Sequence, residues 1–482
     1  MAEPELDAIV VGSGPNGLAA AIALLQRGVE VEVREAAGHL GGGVHTEELT
    51  LPGFLHDVCG TVQPLAAASP FFRSLDLGVE WVHPGAAAAH PLDDGTAVML
   101  ERGIDETVES LGRDGHAYRR LVEPLVVAWE ELAPLLLGRL PPPPRRTLRA
   151  ARAAGLRPLA TAARLALSDA RSASESLFET ERARAWFAGH CAHSMLPLER
   201  RPSGGFGLVL SVLGHAVGWP FARGGASRFA DALVERVHEL GGSLVTDSPV
   251  DELPQDRLVL ADVVPRELLR LAHGRFPARY ERRLGRFRYG PGAFKVDWAL
   301  DGPIPWRAPE CGRAGTVHLG GTLDEIAHSE WAAWSGRTAE RPFVLLVQQT
   351  VFDDTRAPAG KHSAWAYCHV PNGSAEDLTE RIEAQVERFA PGFGELVLAR
   401  NTIGPAEFEA RNRNIVGGDF NGGAMDLGQL IARPAPGLVP YRTPLENVYL
   451  CSASTPPGGG IHGMCGYWAA LAAVKSRRAG RY

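Results

Sequence analysis

The chain has 482 residues, too many for one small core and suggestive of two domains. Its 45% apolar content is ordinary for a globular protein, and a formal net charge of −7 without a basic tract argues against nucleic-acid binding. Six scattered cysteines, Cys59, Cys191, Cys311, Cys368, Cys451 and Cys465, form no Cys-x-x-Cys pair, so a cytoplasmic setting without a metal centre is expected.

The first strand is predicted within about ten residues of Met1, leaving no room for a signal peptide. From Ala8 to Leu25 the sequence AIVVGSGPNGLAAAIALL is a short β-branched strand, a Gly-x-Gly-x-x-Gly turn and an apolar helix. Gly12 permits the tight turn, Gly14 lets the backbone approach a pyrophosphate, and Gly17 lets helix pack on strand, with Pro15 and Asn16 opening the helix towards the phosphates. A second strand, Val29 to Arg34, ends at Glu35, the interval at which an acid hydrogen-bonds a ribose diol. Ala36 follows, and then Gly41, Gly42 and Gly43. A second glycine cluster here lets the backbone pass a second set of phosphate and ribityl groups, which favours FAD over NAD as resident cofactor.

Leu51 to Asp57 reads as a turn and a loop, and Ser69 as the cap of a helix. Arg119 to Leu137 is predicted helical and stops at the stiff segment Pro141 to Pro144. Arg145 to Ala170 carries arginines at 145, 146, 149, 152, 157 and 164. It is either a basic amphipathic helix that contacts a membrane surface or, as preferred, a helical cap over the active site. The longest uncharged run, Ser203 to Ala222, approaches bilayer-spanning length, but its glycines, Pro220 and His215 mark a buried segment lining a cavity.

A helix over Arg223 to Gly242 leads into a strand, Ser243 to Thr246, that returns to the dinucleotide unit. From Gly290 onward short strands dominate: Phe294 to Leu300, Phe343 to Thr350 and Ser363 to Val370, the pattern of a mostly antiparallel sheet in a second domain. Asp377 to Phe389 is an amphipathic helix. Near the C-terminus a strand from Asn447 enters the turn Gly458-Gly459-Gly460-Ile461-His462-Gly463, followed by a helix of small residues. Aimed at a flavin, that helix would stabilise negative charge on the reduced ring, placing Gly459, Gly460, Ile461 and His462 against the cofactor.

Taken together, GSGPNG at 12–17 with Glu35, the glycines 41–43, PGFLHD at 52–57, GWPFARGG at 218–225 and STPPGGGIHG at 454–463 resemble the phytoene desaturase-like branch of the FAD-dependent amine oxidase superfamily. The resemblance implies an α/β fold with a Rossmann-like FAD-binding domain of glutathione reductase type and a second substrate domain of mixed sheet and helices. The FAD domain is expected at 1–100, 223–272 and 441–482, a helical cap at 101–222, and the substrate sheet at 273–440. By the same resemblance Val250 pairs its backbone with the adenine. Three departures stand out: Gly43 occupies the place of a usual arginine, the hairpin between Val250 and Leu258 is short, and no acid lies in Cys451 to Ser454.

The chemistry expected is hydride transfer to flavin N5 during dehydrogenation of a C–C, C–N or C–O bond in an apolar or amphipathic small molecule, with dioxygen or a quinone as electron acceptor. His462 is the candidate to touch ring or substrate, unless the backbone of its own turn holds it. Lys295 and Asp297 share a strand face, as an ion pair at the pocket or as a structural pair; the resemblance implies a strand lysine near N5. Trp365, Tyr367 and His369 likewise share a face of their strand, lining a pocket for an apolar or aromatic substrate or packing the sheet. The loop Val416 to Gly423, with Asp419 and Asn421, is read as lining the site. The alternatives are a non-redox isomerase using reduced FAD and a catalytically silent scaffold that keeps the fold. Oligomeric state does not follow from the sequence.

Overall fold

Two β-sheets built on different pairing rules divide the protein, and the computed structural model describes them over residues 7–138 and 142–478. The first sheet is entirely parallel, in the order Val448–Leu450, Leu258–Ala261, Ala8–Val11, Val31–Arg34, Ser243–Val245. Ala8 pairs with Leu258 on one side and Val31 on the other. A parallel sheet needs both faces covered, and the alternation of Ala8–Val11 serves both. Ala8 and Val10 pack with the helices Pro15–Leu25, Ser227–Glu239 and Met464–Arg478, while Ile9 and Val11 pack with Leu268 and Leu271. Strands from three distant stretches of the chain therefore form one sheet.

The second sheet has seven strands, in the order Val397–Ile403, Gly292–Leu300, His362–Val370, Val344–Val347, Ala314–Leu319, Ala86–Pro91, Ala97–Glu101. All neighbours are antiparallel except Ala314–Leu319 with Ala86–Pro91. Ala86–Pro91 and all but the last residue of Ala97–Glu101 lie within 1–100, the stretch expected to belong to the dinucleotide unit. Their runs are buried throughout, and pairing against Ala314–Leu319 is how they bury their backbone polar groups.

Helices between 104 and 216 form a layer over this sheet. The helix expected from Arg119 to Leu137 is two, Gly115–Val127 and Trp129–Leu136, with the break at Ala128. Pro124 and Pro134 each remove an intrahelical hydrogen bond from this stretch. The arginine-rich stretch is likewise two helices, Pro144–Ala154 and Leu156–Ala166, packed on one another and on Gly115–Val127. Residue 141 of the proline run lies outside the described residues. The uncharged run forms the helix Ser203–Ala216. A Cβ at Gly207 would stand 2.4 Å from the Cys191 sulfur, so the glycines of this helix exist to admit its neighbours. Among the described residues no helix is long and apolar enough to cross a membrane.

Candidate functional site

A cleft of about 910 Å³ runs between the two sheets and is lined from both. One end is made of backbone. Gly12, Gly14, Pro15 and Asn16 line it at the N-terminus of the helix Pro15–Leu25, where unpaired N–H groups and the helix dipole favour an anion. A Cβ at Gly17 would lie 2.1 Å from the Gly12 carbonyl oxygen, so helix and strand meet only because position 17 has no side chain. Gly42 and Gly43 line the opposite lip, and a Cβ at Gly42 would come within 3.0 Å of the Gly14 Cα. Gly41 supports that lip from behind, donating its N–H to the Ser13 hydroxyl at 3.1 Å.

Glu35 lines the same end with Ala36 and Val250. Its carboxylate accepts the Ser13 N–H at 2.8 Å, the Ser13 hydroxyl at 2.6 Å and the Ala37 N–H at 3.0 Å, which fixes the acid at the tip of its strand. Asp262, just beyond the strand Leu258–Ala261, accepts the Gly17 N–H at 2.9 Å from beneath the turn. Burial pushes its carboxyl up to about 7. Arg34, Glu35, Asp262, Glu267 and Arg270 line this end, and Arg413 and Arg411, the latter ion-paired with Glu47, line the cleft from the 410–415 segment. Asn414 ties the 410–415 segment to it, accepting the Val264 N–H at 2.9 Å and donating to the Asp262 carbonyl at 2.9 Å.

The other end is made of side chains, and its own lining is uncharged. Leu345, Val347, Trp365 and Tyr367 rise from one face of the second sheet, and Met195, Leu210 and Trp219 close over them. His193 and Thr316 also line this end, and Thr61 and Gln63 border it. The Trp365 indole N–H donates to the Thr61 hydroxyl at 2.8 Å, and the Trp365 and Tyr367 rings stack at 5.8 Å. Gly460 and Ile461 reach the cleft from the turn before Met464–Arg478.

A buried charge network joins the two ends. The Asp57 carboxylate faces Arg356 at 2.8 Å and accepts the Thr46 hydroxyl at 2.7 Å and the Ala226 N–H at 2.8 Å. Burial alone would raise its carboxyl, but Arg356, the Thr61 hydroxyl and these donors hold it below the usual carboxylate range. His56 Nδ1 stands 3.4 Å from Asp297, which is ion-paired with Lys295. The PGFLHD stretch is thus a structural joint between the sheets.

Several predicted residues fall elsewhere than the cleft. His462 does not line it: its Nε2 lies 3.2 Å from the Gly458 carbonyl, its Nδ1 accepts the Met464 N–H at 3.0 Å, and burial lowers it to about 4. The backbone of its own turn holds it, and Gly459 beside it packs against Asn421. Lys295 does not line the cleft, although it stands on the same face of the sheet as Tyr367 and Trp365: it is buried one strand over, paired with Asp297 and 5.0 Å from the centre of the Trp365 ring. His215 bonds the Tyr118 hydroxyl at 2.8 Å inside the helical layer. Asp419 accepts the N–H groups of Gly290, Asn421 and Gly423 and so shapes its loop, while its neighbour Asn421 reaches the cleft. His369 is paired with Glu330 at 2.8 Å. Gln63, His193 and Thr316 were missed, since no local pattern distinguishes one polar residue in an apolar stretch. Among the described residues no group of side chains gathers to hold a metal ion.

The family model of an NAD(P)-binding Rossmann-like domain matches residues 10–76, the segment that builds the turn and Glu35. An oxidoreductase from Methanosarcina mazei superposes with a TM-score of 0.64 at 17% identity, over 97% of this chain and 99% of its own. Cyclohexylamine oxidase from Brevibacterium oxydans superposes with a TM-score of 0.60 at 16% identity, over 98% of this chain and 100% of its own. The fold is of the amine oxidase type. In sequence, the chain is 26% identical to the rat pyridine nucleotide-disulfide oxidoreductase domain-containing protein 2, over 96% of this chain and 92% of the relative.

Proposed function

We propose that the protein is an FAD-dependent oxidoreductase acting on an apolar or amphipathic small molecule. The observation that carries this reading is the continuity of one cleft from the glycine turn and Glu35 to the uncharged pocket of Trp365, Tyr367 and Trp219. The residues fit the group: Gly12, Gly14, Gly42 and Gly43 bring backbone to the cleft surface, and the buried Asn16 Oδ1 at the helix N-terminus has no partner among the described residues. Gly12, Gly14 and the helix N-terminus would take the pyrophosphate, Glu35 the ribose diol, Val250 the adenine edge, and Gly460 and Ile461 the ring. FAD supplies a hydride acceptor at N5 when bound. The remaining work of the chain is to position a C–H bond and exclude water, which the apolar end suits.

The finer placement we propose is the phytoene desaturase-like branch, with electrons passing to dioxygen or a quinone. It is supported by the motif at 454–463 and by an apolar end that offers no carboxylate to an ammonium ion. The test is the absorption spectrum of the purified protein, followed by anaerobic addition of a polyene, an alcohol and an amine. Bound flavin bleached by the polyene or the alcohol is expected. Protein with neither bound flavin nor flavin affinity would overturn the reading.

A further inference from the structure

The apolar end of the cleft contains more unpaired polar atoms than a hydrocarbon pocket requires. In the second sheet the pairs His318 with Leu345 and Leu345 with Tyr367 form one row, and Thr316 with Val347 and Val347 with Trp365 form the next. Residues opposite one another in such pairs share a face, as do residues two apart on a strand, so Thr316 and His318 rise from the same floor. The Thr316 hydroxyl is buried without a hydrogen-bond partner among the described residues. Both amide atoms of Gln63 are equally bare, although its side chain is 1% exposed and borders the cleft. Gln63 donates its backbone N–H to the Pro220 carbonyl at 2.8 Å, next to Trp219, whose ring meets the His193 ring edge-on at 5.7 Å. The three polar residues are thus linked around one end of one cavity.

The histidine pair decides what this end offers. His193 Nε2 and His318 Nε2 lie 3.0 Å apart, a distance at which one must donate and the other accept. His318 Nδ1 is buried with no partner among the described residues. A proton there would orphan a buried N–H, which proteins tolerate less readily than a bare lone pair. His318 therefore carries its proton on Nε2 and donates to His193, which leaves the His193 proton on Nδ1. Burial keeps His193 neutral, far below the usual imidazole range. The result is a neutral N–H donor and a hydroxyl that can donate, with an adaptable amide beside them and no carboxylate.

We propose that this end is a binding subsite for an uncharged oxygen function, a carbonyl or hydroxyl, on an otherwise hydrocarbon substrate, with His193, Thr316 and Gln63 as its hydrogen-bonding partners. The proposal rests on reading the opposite end as the cofactor site, because only then is this end the place for substrate. Apolar walls take the hydrocarbon, and a neutral acceptor satisfies donors that would otherwise remain unpaired in a dry pocket. An ammonium group finds no anion here and would have to be desolvated without a counter-charge.

The probes are 2-decanone, 2-decanol, decane and decylamine, titrated by calorimetry into the protein with and without added FAD. The ketone or the alcohol is expected to bind about tenfold tighter than decane, the weight of one good hydrogen bond, and decylamine to bind weakest. The ketone-to-alcohol ratio identifies which oxygen function the site prefers. Thr316→Val and Gln63→Leu should each remove most of the oxygen preference while leaving decane affinity unchanged, and Thr316→Ser should retain it. Equal binding of ketone, alcohol and decane, or tightest binding of decylamine, would overturn the subsite. FAD affinity measured by absorption on the same preparations reports separately on the cofactor reading, because failure there leaves the order of probe affinities measurable.

Discussion

The two ends of the cleft are built from opposite materials. At the dinucleotide end the protein removes side chains, so that backbone N–H groups, helix ends and a few fixed charges face the ligand. At the other end it supplies side chains from the helical layer, from the 61–63 stretch and from three strands, all of them neutral. Backbone recognition needs close approach, and close approach leaves glycines at fixed spacing. Side-chain recognition needs a shaped wall, and a wall can be assembled from positions that share no spacing at all.

Acid should separate the two materials most strongly. His90, His190 and His462 are lowered to about 4 by burial, His193 to about 3, and His318 well below its ordinary value. An unfolded histidine takes up its proton near pH 6.5, whereas these stay neutral in the fold until far lower. Between those values the unfolded chain binds more protons, so stability falls as pH drops from about 6.5 towards 4, on the order of 3 kcal/mol by pH 4 for each of His90, His190 and His462. Asp57 and Asp297 act in a lower window: their folded values are depressed, so their contribution is present above the ordinary carboxylate value and is lost only below it. Urea midpoints followed by tryptophan fluorescence should therefore fall steeply between pH 6.5 and 4.5. A flat profile across that range would show that the histidines are not buried neutral.

Next in size is the joint. Arg356→Met leaves the Asp57 carboxylate buried without its counter-charge and should destabilise the fold by roughly 3–5 kcal/mol. Because Asp57 also holds the Thr46 hydroxyl and the Ala226 N–H, both ends of the cleft should fail together, seen as a single thermal transition at lower temperature. Adding Asp57→Leu to this variant should restore much of the loss. A variant that lost flavin but kept its melting temperature would mean that the network belongs to the cofactor end alone.

Glu35→Gln tests the dinucleotide end by itself. It replaces a carboxylate fixed by Ser13 and Ala37 and should weaken FAD binding by about 1.5–3 kcal/mol, the worth of a charged hydrogen bond, without changing binding of an apolar probe. Flavin titration by absorption measures the first effect and calorimetry with decane the second. If both change, the two ends are not independent.

The contrast between the ends also explains what could be read without coordinates. The turn at 12–17, Glu35 and the return strands at 243 and 258 follow from glycine spacing and hydrophobic alternation, because each is a local solution to a backbone constraint. The strands Ala86–Pro91 and Ala97–Glu101 were not anticipated, and they pair into the second sheet although 1–100 was expected in the dinucleotide domain, since partner choice is a tertiary matter that period-two alternation does not record. His462 illustrates the converse. Its position in a glycine turn suggested contact with a ligand, yet bonds to Gly458 and Met464 satisfy its ring inside the turn. His193 was invisible for the opposite reason: its meaning depends on His318, which is 125 residues away.

The smallest expected effect marks where one end stops and the other begins. Thr61 precedes Gln63 on the stretch that passes Ile461, and its hydroxyl accepts the indole N–H of Trp365 in the wall. Thr61→Val keeps the shape and removes the acceptor. Because Trp365 lines the cleft, water there can replace the lost partner, so the loss should be only about 1 kcal/mol of stability. Tryptophan emission should shift as the indole loses its bond, while FAD affinity stays within about twofold, well under the 1.4 kcal/mol that a tenfold change requires. A tenfold loss of flavin would place Thr61 on the cofactor side, and the neutral end would then begin at Gln63.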